Sequence, residues 1–87
     1  MGMMMFGFPE NTRAVPLSML EQAMAVEEEA RELLLAIVNG EPRERVLEEC
    51  WDVVQAAEGV LRKFPAQEAA AARDFVEDKC RRRGNYR

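Results

Sequence analysis

The sequence predicts an all-α fold in which an antiparallel helical hairpin is followed by a third helix. Residues that favour helices, chiefly alanine, glutamate, leucine and arginine, dominate the chain, whereas only 7% of its residues are aromatic. Apolar residues recur at helical spacing, and glycine and proline interrupt this pattern. A chain of 87 residues forms one small domain. Such a domain buries only about 60% of its unfolded surface, so its own core provides little stability.

The N-terminal part, residues 1–15, shows no sustained periodicity, and we predict that it forms an arm ahead of a helical domain of residues 16–87. The first helix is expected to begin near Pro16, because proline is tolerated in the first turn. It should run to Val38 and end before Gly40, since glycine can adopt the left-handed conformation that closes a helix.

Proline also bounds the second and third helices. Pro42 can open the second helix, which is expected to continue to Phe64, because Pro65 disfavours helical backbone at the residue before it. The third helix should run from Ala66 to about Arg82. Since the turn between the first two helices is short, they must pack antiparallel.

Each of the first two helices carries an apolar stripe that we expect to form the contact between them. On the first helix the stripe comprises Met19, Ala23, Val26, Ala30, Leu33 and Ile37. On the second helix it comprises Val46, Cys50, Val53, Ala57, Val60 and Phe64. Both helices also carry apolar residues outside the stripe, Leu20 and Trp51 among them, and a helix that is apolar on two sides needs a second partner. We therefore expect a homodimer or homotetramer in which oligomerisation completes a four-helix-bundle core.

Composition and charge exclude several classes of function. The chain has no histidine, which removes Ser-His-Asp and Cys-His nucleophiles and histidine-ligated zinc or haem. Its formal net charge of −4 argues against nucleic acid as a partner, because phosphate binding needs a basic surface. The apolar stretch near the N-terminus is too short to span a membrane, so no membrane partner is expected. Cys50 and Cys80 do not form a disulfide framework, which favours a reducing, cytoplasmic location.

Two acidic pairs stand at matching positions of the predicted hairpin: Glu29 with Glu32 on the first helix, and Glu49 with Asp52 on the second. Residues three apart lie on one face of a helix. Both pairs lie on the same flank of their apolar stripes, and each lies about ten residues, or ~15 Å, from the turn. The four carboxylates are therefore expected to converge on one patch beside the core.

A solvated acidic surface is one interpretation of these pairs, since most charged runs on helices are exposed. The matching flank and height favour a metal site instead, as does the scarcity of cations in the two acidic clusters, where Arg31 stands alone. Carboxylates without a counter-charge repel one another unless a cation binds. Oxygen ligands suit Mg²⁺ or Mn²⁺, and Mg²⁺ usually completes its coordination with water and substrate phosphates. The pattern therefore predicts a phosphorylated substrate.

The sequence resembles the MazG-like all-α nucleoside triphosphate pyrophosphohydrolases over about residues 17–86. The resemblance rests on Glu29-x-x-Glu32, sixteen intervening residues and Glu49-x-x-Asp52, and on the closing segment Lys79-Cys80-Arg81-Arg82-Arg83-Gly84-Asn85-Tyr86. Arg31 and Trp51 depart from the usual family pattern, which has smaller residues at these positions.

The resemblance implies that Glu29, Glu32, Glu49 and Asp52 hold Mg²⁺, and that a nucleoside triphosphate is cleaved between its α and β phosphates. The products would be the nucleoside monophosphate and pyrophosphate, a reaction suited to house-cleaning of the nucleotide pool. Glu29 or Glu32 would also orient or deprotonate the attacking water. Two alternatives remain open: a phosphoribosyl-ATP pyrophosphohydrolase, which shares the helical carboxylate plan, and a non-catalytic oligomerising module whose carboxylates are solvated.

The basic C-terminal segment also has two interpretations. Cations at the end of a helix complement its dipole, which accounts for one or two of them. The family resemblance suggests instead that the segment contacts the polyphosphate and base, with Lys79, Arg83 and Tyr86 as the candidates. For Arg45 and Lys63, by contrast, solvated surface is the favoured interpretation and phosphate contact the lesser one.

Overall fold

In the computed structural model, which describes residues 7–86, the chain folds into three α-helices and forms no strands within that range. α1 spans Met19–Val38, α2 spans Arg43–Leu61 and α3 spans Ala66–Arg82. The predicted all-α class is thus confirmed. Residues 1–6 of the predicted arm and residue 87 lie outside the described residues. No helix in the described range is long and apolar enough to cross a membrane.

α1 begins at Met19 and not at the predicted Pro16, because Ser18 provides the N-cap. The Ser18 hydroxyl accepts a hydrogen bond from the backbone N–H of Glu21 at 3.0 Å, and the Glu21 carboxylate accepts one from the backbone N–H of Ser18 at 2.8 Å. This capping box satisfies two N–H groups at the helix start. At the other end Gly40 has a φ of 65°, as the sequence predicts for the residue that closes the helix.

α2 begins directly after Pro42, as predicted, but ends at Leu61 and not at Phe64. The two backbone N–H groups before Pro65 donate to carbonyls three residues earlier, at 3.0 and 3.1 Å. The chain therefore tightens into a turn ahead of the proline, which disfavours helical backbone at the residue before it. α3 has the predicted bounds.

α1 and α2 pack antiparallel as predicted, but not through the predicted face of α1. The side chain of Gln22, near the start of α1, donates to the carbonyl of Ala56, near the end of α2, at 2.9 Å. The residues of α1 that are at least partly buried are Gln22, Ala25, Val26, Glu29, Leu33 and Ala36. Their face is rotated by roughly 70° from the predicted apolar stripe, toward the acidic flank. The prediction that this stripe forms the hairpin contact therefore holds for Val26 and Leu33. It is wrong for the other four stripe residues of α1, which are exposed: Met19, Ala23, Ala30 and Ile37.

Much of the apolar surface stays exposed in the single chain. Among the described residues only Ala36 and Ala69 are fully buried apolar side chains. The large apolar side chains of α1 and α2 that are 40–71% exposed are Met19, Leu20, Met24, Leu34, Leu35, Ile37, Val38, Leu47, Trp51 and Val54. The radius of gyration of 14.7 Å exceeds the value of about 12 Å typical of a compact domain of this length.

α3 makes few contacts with the hairpin in the described part of the chain. Its first half faces α2 across an apolar groove, whose lining includes Val53, Ala57, Leu61, Ala69, Ala72 and Val76. α3 therefore covers part of the apolar surface at the end of α2 and leaves that of α1 open.

Gly59 is a position at which α2 has no room for a side chain. A Cβ there would lie 2.7 Å from Cδ of Gln22, which is buried and held by its hydrogen bond to Ala56. We expect Gly59→Ala to lower the free energy of unfolding by about 1–2 kcal/mol, because overpacking outweighs the gain in helix propensity. Urea unfolding measures this change.

The matched control for Gly59→Ala is the same substitution in a Gln22→Ala background. With the obstructing amide removed, the added methyl group should be neutral or stabilising. If Gly59→Ala alone were as stable as the wild type, the close packing of Gln22 on α2 would be contradicted.

Candidate metal centre

The hairpin brings carboxylates from both helices together. One carboxylate oxygen from each of Glu29, Glu32 and Glu49 lies within 4.8 Å of the other two. Glu29 and Glu32 are one turn apart on α1, and Glu49 comes from α2. The expected convergence is thus found for these three residues, which we call the carboxylate triad, and their binding of a metal stays a prediction.

Asp52, the fourth predicted ligand, lies beside the carboxylate triad. It is half-buried and lines a groove together with Glu29. Its negative charge acts on both Glu29 and Glu49. Asp52 therefore adds to the negative potential at the point where the triad meets the groove.

The members of the triad differ in their exposure to solvent. Glu49 is only 1% exposed, Glu29 is half-buried and Glu32 is exposed. Arg45 forms an ion pair with the triad: its Nη2 donates to Oε1 of Glu49 at 2.8 Å. The same guanidinium also binds Glu48 at 3.3 Å. Arg45 is exposed, as expected, but its guanidinium is shared between two carboxylates and leaves the triad with an excess of negative charge.

Two buried oxygens of the triad, Oε2 of Glu29 and Oε2 of Glu49, have no hydrogen-bond partner among the described residues. A buried charged oxygen without a partner is costly, because it has lost its hydration without a compensating bond. A cation would supply the missing interaction to both oxygens. Since every donor here is a carboxylate oxygen, the set fits a hard ion such as Mg²⁺ or Mn²⁺.

The surroundings raise the pKa of Glu29 and that of Glu49 above the ordinary value of 4.5. For Glu29 the largest cause is the loss of hydration on burial, followed by the negative charges of Glu32 and Asp52. For Glu49 the loss of hydration is again the largest cause, and the positive charge of Arg45 opposes it. The triad therefore resists full ionisation unless a positive charge joins it.

An open groove beside Glu29 and Asp52 lies between the hairpin and the N-terminal segment, which we define as residues 8–17. The segment contributes Asn11, Arg13, Ala14 and Leu17 to the groove lining. Arg13 is the one cation in that lining, and its guanidinium forms no hydrogen bond or ion pair with a described residue. Within the described residues, the groove thus brings Glu29 and Asp52, which form no ion pair, together with Arg13, which has no anionic partner.

The N-terminal segment is held against α2 by ring and hydrogen-bond contacts. The ring of Phe8 meets Trp51 edge to face, with the centroids 5.7 Å apart, and Arg62 donates to the Phe8 carbonyl at 2.7 Å. The ammonium group of Lys63 donates to the carbonyl of Leu17 at 2.5 Å. Lys63, expected to be solvated surface, therefore fixes the segment that forms one wall of the groove.

The predicted substrate contacts Lys79, Arg83 and Tyr86 lie at the end of α3 and beyond it. None of them lines the groove beside the carboxylates. The guanidinium of Arg81 lies 6.0 Å from the centroid of the Tyr86 ring, so Tyr86 interacts with Arg81. A role for the three residues in substrate binding stays a prediction.

Sequence reasoning missed Arg13, Gln22 and Glu58. Arg13 belongs to a segment without periodicity, so no pattern gives its position. Glu58 stands within the run Ala56-Ala57-Glu58-Gly59-Val60, and a lone acid in such a run is a signal that could have found it.

The chain matches no model of a known protein family, and no curated protein and no solved structure is significantly similar to it. The resemblance to the MazG-like family therefore stays a prediction from the acidic pairs and the basic C-terminal segment. The function has to be argued from the site itself.

Proposed function

We propose that the chain is a Mg²⁺-dependent nucleoside triphosphate pyrophosphohydrolase, which cleaves the α–β phosphate bond to give the nucleoside monophosphate and pyrophosphate. The observation that supports this most strongly is the pair of buried, unpartnered oxygens of Glu29 and Glu49 beside a groove that contains Arg13. Such a site is complementary to a divalent cation that carries a polyphosphate, because the cation pairs with the carboxylates and the phosphate with the arginine. The resemblance to the MazG-like family points to the same reaction.

Glu29, Glu32, Glu49 and Asp52 are the proposed ligands of Mg²⁺, and Mn²⁺ would suit the same oxygens. When bound, Mg²⁺ neutralises phosphate charge and lowers the pKa of a coordinated water. Arg45 holds Oε1 of Glu49, so the side chain is fixed while Oε2 stays available to the cation. This division of the two oxygens explains why an arginine lies next to a proposed cation site.

Glu29 is the proposed general base. Its side chain lines the groove, whereas Glu32 is exposed, so the Glu29 carboxylate is placed to take up a proton from a water in the groove. The water oxygen forms a bond to phosphorus in the α–β anhydride while its proton passes to the Glu29 carboxylate. The bond from that phosphorus to the bridging oxygen breaks, and the two phosphate products separate.

Arg13 is the proposed contact for the polyphosphate. We expect Arg13→Ala to lower kcat/KM by roughly 10- to 100-fold, because a hydrogen bond to a charged group contributes about 1.5–3 kcal/mol. Binding of Mg²⁺ should be unchanged, since Arg13 contacts none of the carboxylates. Steady-state kinetics with the best triphosphate substrate measures the effect.

Arg43→Ala is the matched control for Arg13, because Arg43 is an exposed arginine at the start of α2. This variant should keep the wild-type kcat/KM. If Arg13→Ala also kept it, the N-terminal segment would have no part in substrate binding.

The products identify the bond that is cleaved. Ion-exchange chromatography of a completed reaction should show nucleoside monophosphate and pyrophosphate in equal amounts. Nucleoside diphosphate and inorganic phosphate would contradict cleavage at the α–β bond. Turnover of phosphoribosyl-ATP with intact triphosphates would instead assign the chain to the alternative pyrophosphohydrolase.

We also propose that the chain works as a homodimer or homotetramer in the cytoplasm. Leu20, Leu34 and Ile37 on α1 are 58–71% exposed, and a second copy packed on them would complete a four-helix core. Cys50 and Cys80 are free thiols, which suits a reducing compartment. A non-catalytic oligomerising module would share this surface, but oligomerisation does not require unpartnered carboxylates beside a groove.

A further inference from the structure

Glu58 is a buried carboxylate that the proposed hydrolysis does not use. It is 3% exposed, and neither of its carboxylate oxygens has a hydrogen-bond partner within residues 7–86. Leaving both oxygens of a buried acid unsatisfied is more costly than burying an apolar side chain of the same size. A ligand that donates hydrogen bonds would satisfy both oxygens of Glu58.

Glu58 lines a cavity beneath the N-terminal segment. Its other charged lining residues are Glu10, Arg62 and Lys63, and the two cations donate to backbone carbonyls of the N-terminal segment. The uncharged part of the lining comprises Pro9, Asn11, Ala14, Val15, Gln55 and Gly59. A Cβ added to Gly7 would lie 3.8 Å from Oε1 of Glu58, which shows that this oxygen is directed toward the N-terminal end of the chain. The carboxylate is thus close to the backbone that precedes the N-terminal segment.

The cavity continues into the groove of the metal centre. Asn11, Ala14 and Gln55 line both spaces. Along α2, Glu58 stands roughly 9 Å beyond Asp52. That separation is comparable with the length of a nucleoside, so a nucleotide whose phosphates lie at the carboxylate triad could place its base near Glu58.

The chemistry of an ionised carboxylate restricts the base. It offers two acceptor oxygens and no donor, so it pairs best with two adjacent N–H groups. Guanine presents such a pair at N1–H and the exocyclic amino group on C2. Adenine and cytosine place an acceptor nitrogen beside their amino group. Uracil and thymine present a single N–H between two carbonyl oxygens, and hypoxanthine presents a single N–H between a carbonyl oxygen and a C–H group.

We propose that Glu58 recognises the base of the substrate through a bidentate hydrogen bond, and that the enzyme therefore prefers guanine nucleotides. The identification of the ligand as a nucleotide rests on the proposed function. Glu58 is a specificity-determining residue in this account, because it contacts the base and takes no part in the cleavage of the phosphate bond.

The test compares the binding of GMP and IMP, which differ only in the amino group on C2, by isothermal titration calorimetry in EDTA. Wild-type protein should bind GMP more tightly than IMP by about 10-fold or more, as expected for a hydrogen bond to a charged group. Glu58→Gln replaces one acceptor by a donor at constant size, so it should reduce this ratio to near one. Glu68→Gln, at an exposed position in α3, should retain the wild-type ratio.

This test separates the base preference from hydrolysis, because it needs no turnover. The wild-type comparison also needs no variant, so it decides the matter even if Glu58→Gln fails to fold. Equal affinity of the wild type for GMP and IMP, or no binding of either, would overturn the inference, as would a ratio that survives Glu58→Gln. If Glu58→Gln abolished the preference for GMP over IMP while the wild type hydrolysed no triphosphate, the base site would be supported and the proposed reaction refuted.

Discussion

Glu49→Gln is expected to lower Mg²⁺-dependent pyrophosphate release by on the order of 10²-fold or more, comparable with the loss of one charge-stabilising contact in an active site. Glu49 is the most deeply buried member of the carboxylate triad, and its Oε2 accepts no hydrogen bond from any described residue. An amide keeps the size of the side chain but removes the negative charge that would hold the ion. A coupled assay of pyrophosphate release measures the change.

Glu28→Gln is the matched control, since Glu28 is an exposed acid next to a residue of the triad in the sequence. This variant should retain wild-type turnover. The Glu49→Gln protein should stay folded in the absence of metal, because removing one of several mutually repelling carboxylates relieves repulsion. An active Glu49→Gln enzyme would show that the triad is not the metal centre.

The metal-free protein is expected to lose stability as the pH rises above about 4.5, the ordinary value from which the pKa of Glu29 and that of Glu49 are raised. A carboxyl group with a raised native pKa binds its proton more tightly in the folded state than in the unfolded state. Its contribution to stability is therefore complete below the unfolded pKa and is lost as the pH passes through the native one. Thermal unfolding in EDTA across this range measures the loss.

Other groups also titrate in this range, so the difference between the wild type and Glu29→Gln isolates the triad. Glu21, for example, has a lowered pKa, chiefly because its carboxylate accepts a hydrogen bond from the backbone of Ser18, and it acts in the opposite direction. Relative to Glu29→Gln, the wild type should become progressively less stable as the pH rises. A difference that does not change with pH would contradict repulsion within the triad.

Adding Mg²⁺ at neutral pH should reverse this loss. At a free ion concentration of about 100 times the Kd, the melting temperature is expected to rise by on the order of 10 °C. The rise should be absent in Glu49→Gln. A wild-type protein that melts at the same temperature with and without Mg²⁺ would have no specific ion site.

The helices and the meeting of the triad could be predicted because both depend on local geometry. Helix bounds follow from residues such as Pro42, Gly40 and Pro65, which act on their immediate neighbours. The convergence of the two acidic pairs depends on their common flank and on the equal distance of their midpoints from the turn, which the rise per residue converts into equal height.

The face through which α1 contacts α2 could not be predicted in the same way. Apolar periodicity identified Met19 and Ile37 as contact residues, yet both are exposed in the single chain. The observed contact uses Gln22 and Ala36, and it depends on Gly59 of α2, where the absence of a side chain admits the amide of Gln22. This fit between helices is a tertiary property that a single stripe does not reveal.

The position of the N-terminal segment, which forms one wall of the groove, could not be predicted from the sequence either. Its position depends on Lys63 and Arg62, which bind backbone carbonyls of the segment about 50 residues earlier in the chain. Any segment offers such carbonyls, so no side-chain pattern marks the pairing. Arg13 enters the groove only as a consequence of these contacts.

If the carboxylate triad is the metal centre of a nucleotide hydrolase, as we propose, turnover must depend on a divalent cation. The most direct test measures pyrophosphate release by the wild-type protein from a panel of ribo-, deoxy- and modified nucleoside triphosphates, first with Mg²⁺ and then with EDTA. We expect turnover with Mg²⁺ and none with EDTA. The absence of turnover for every triphosphate, together with an absence of Mg²⁺ binding, would contradict the account and leave an oligomerising helical module in its place.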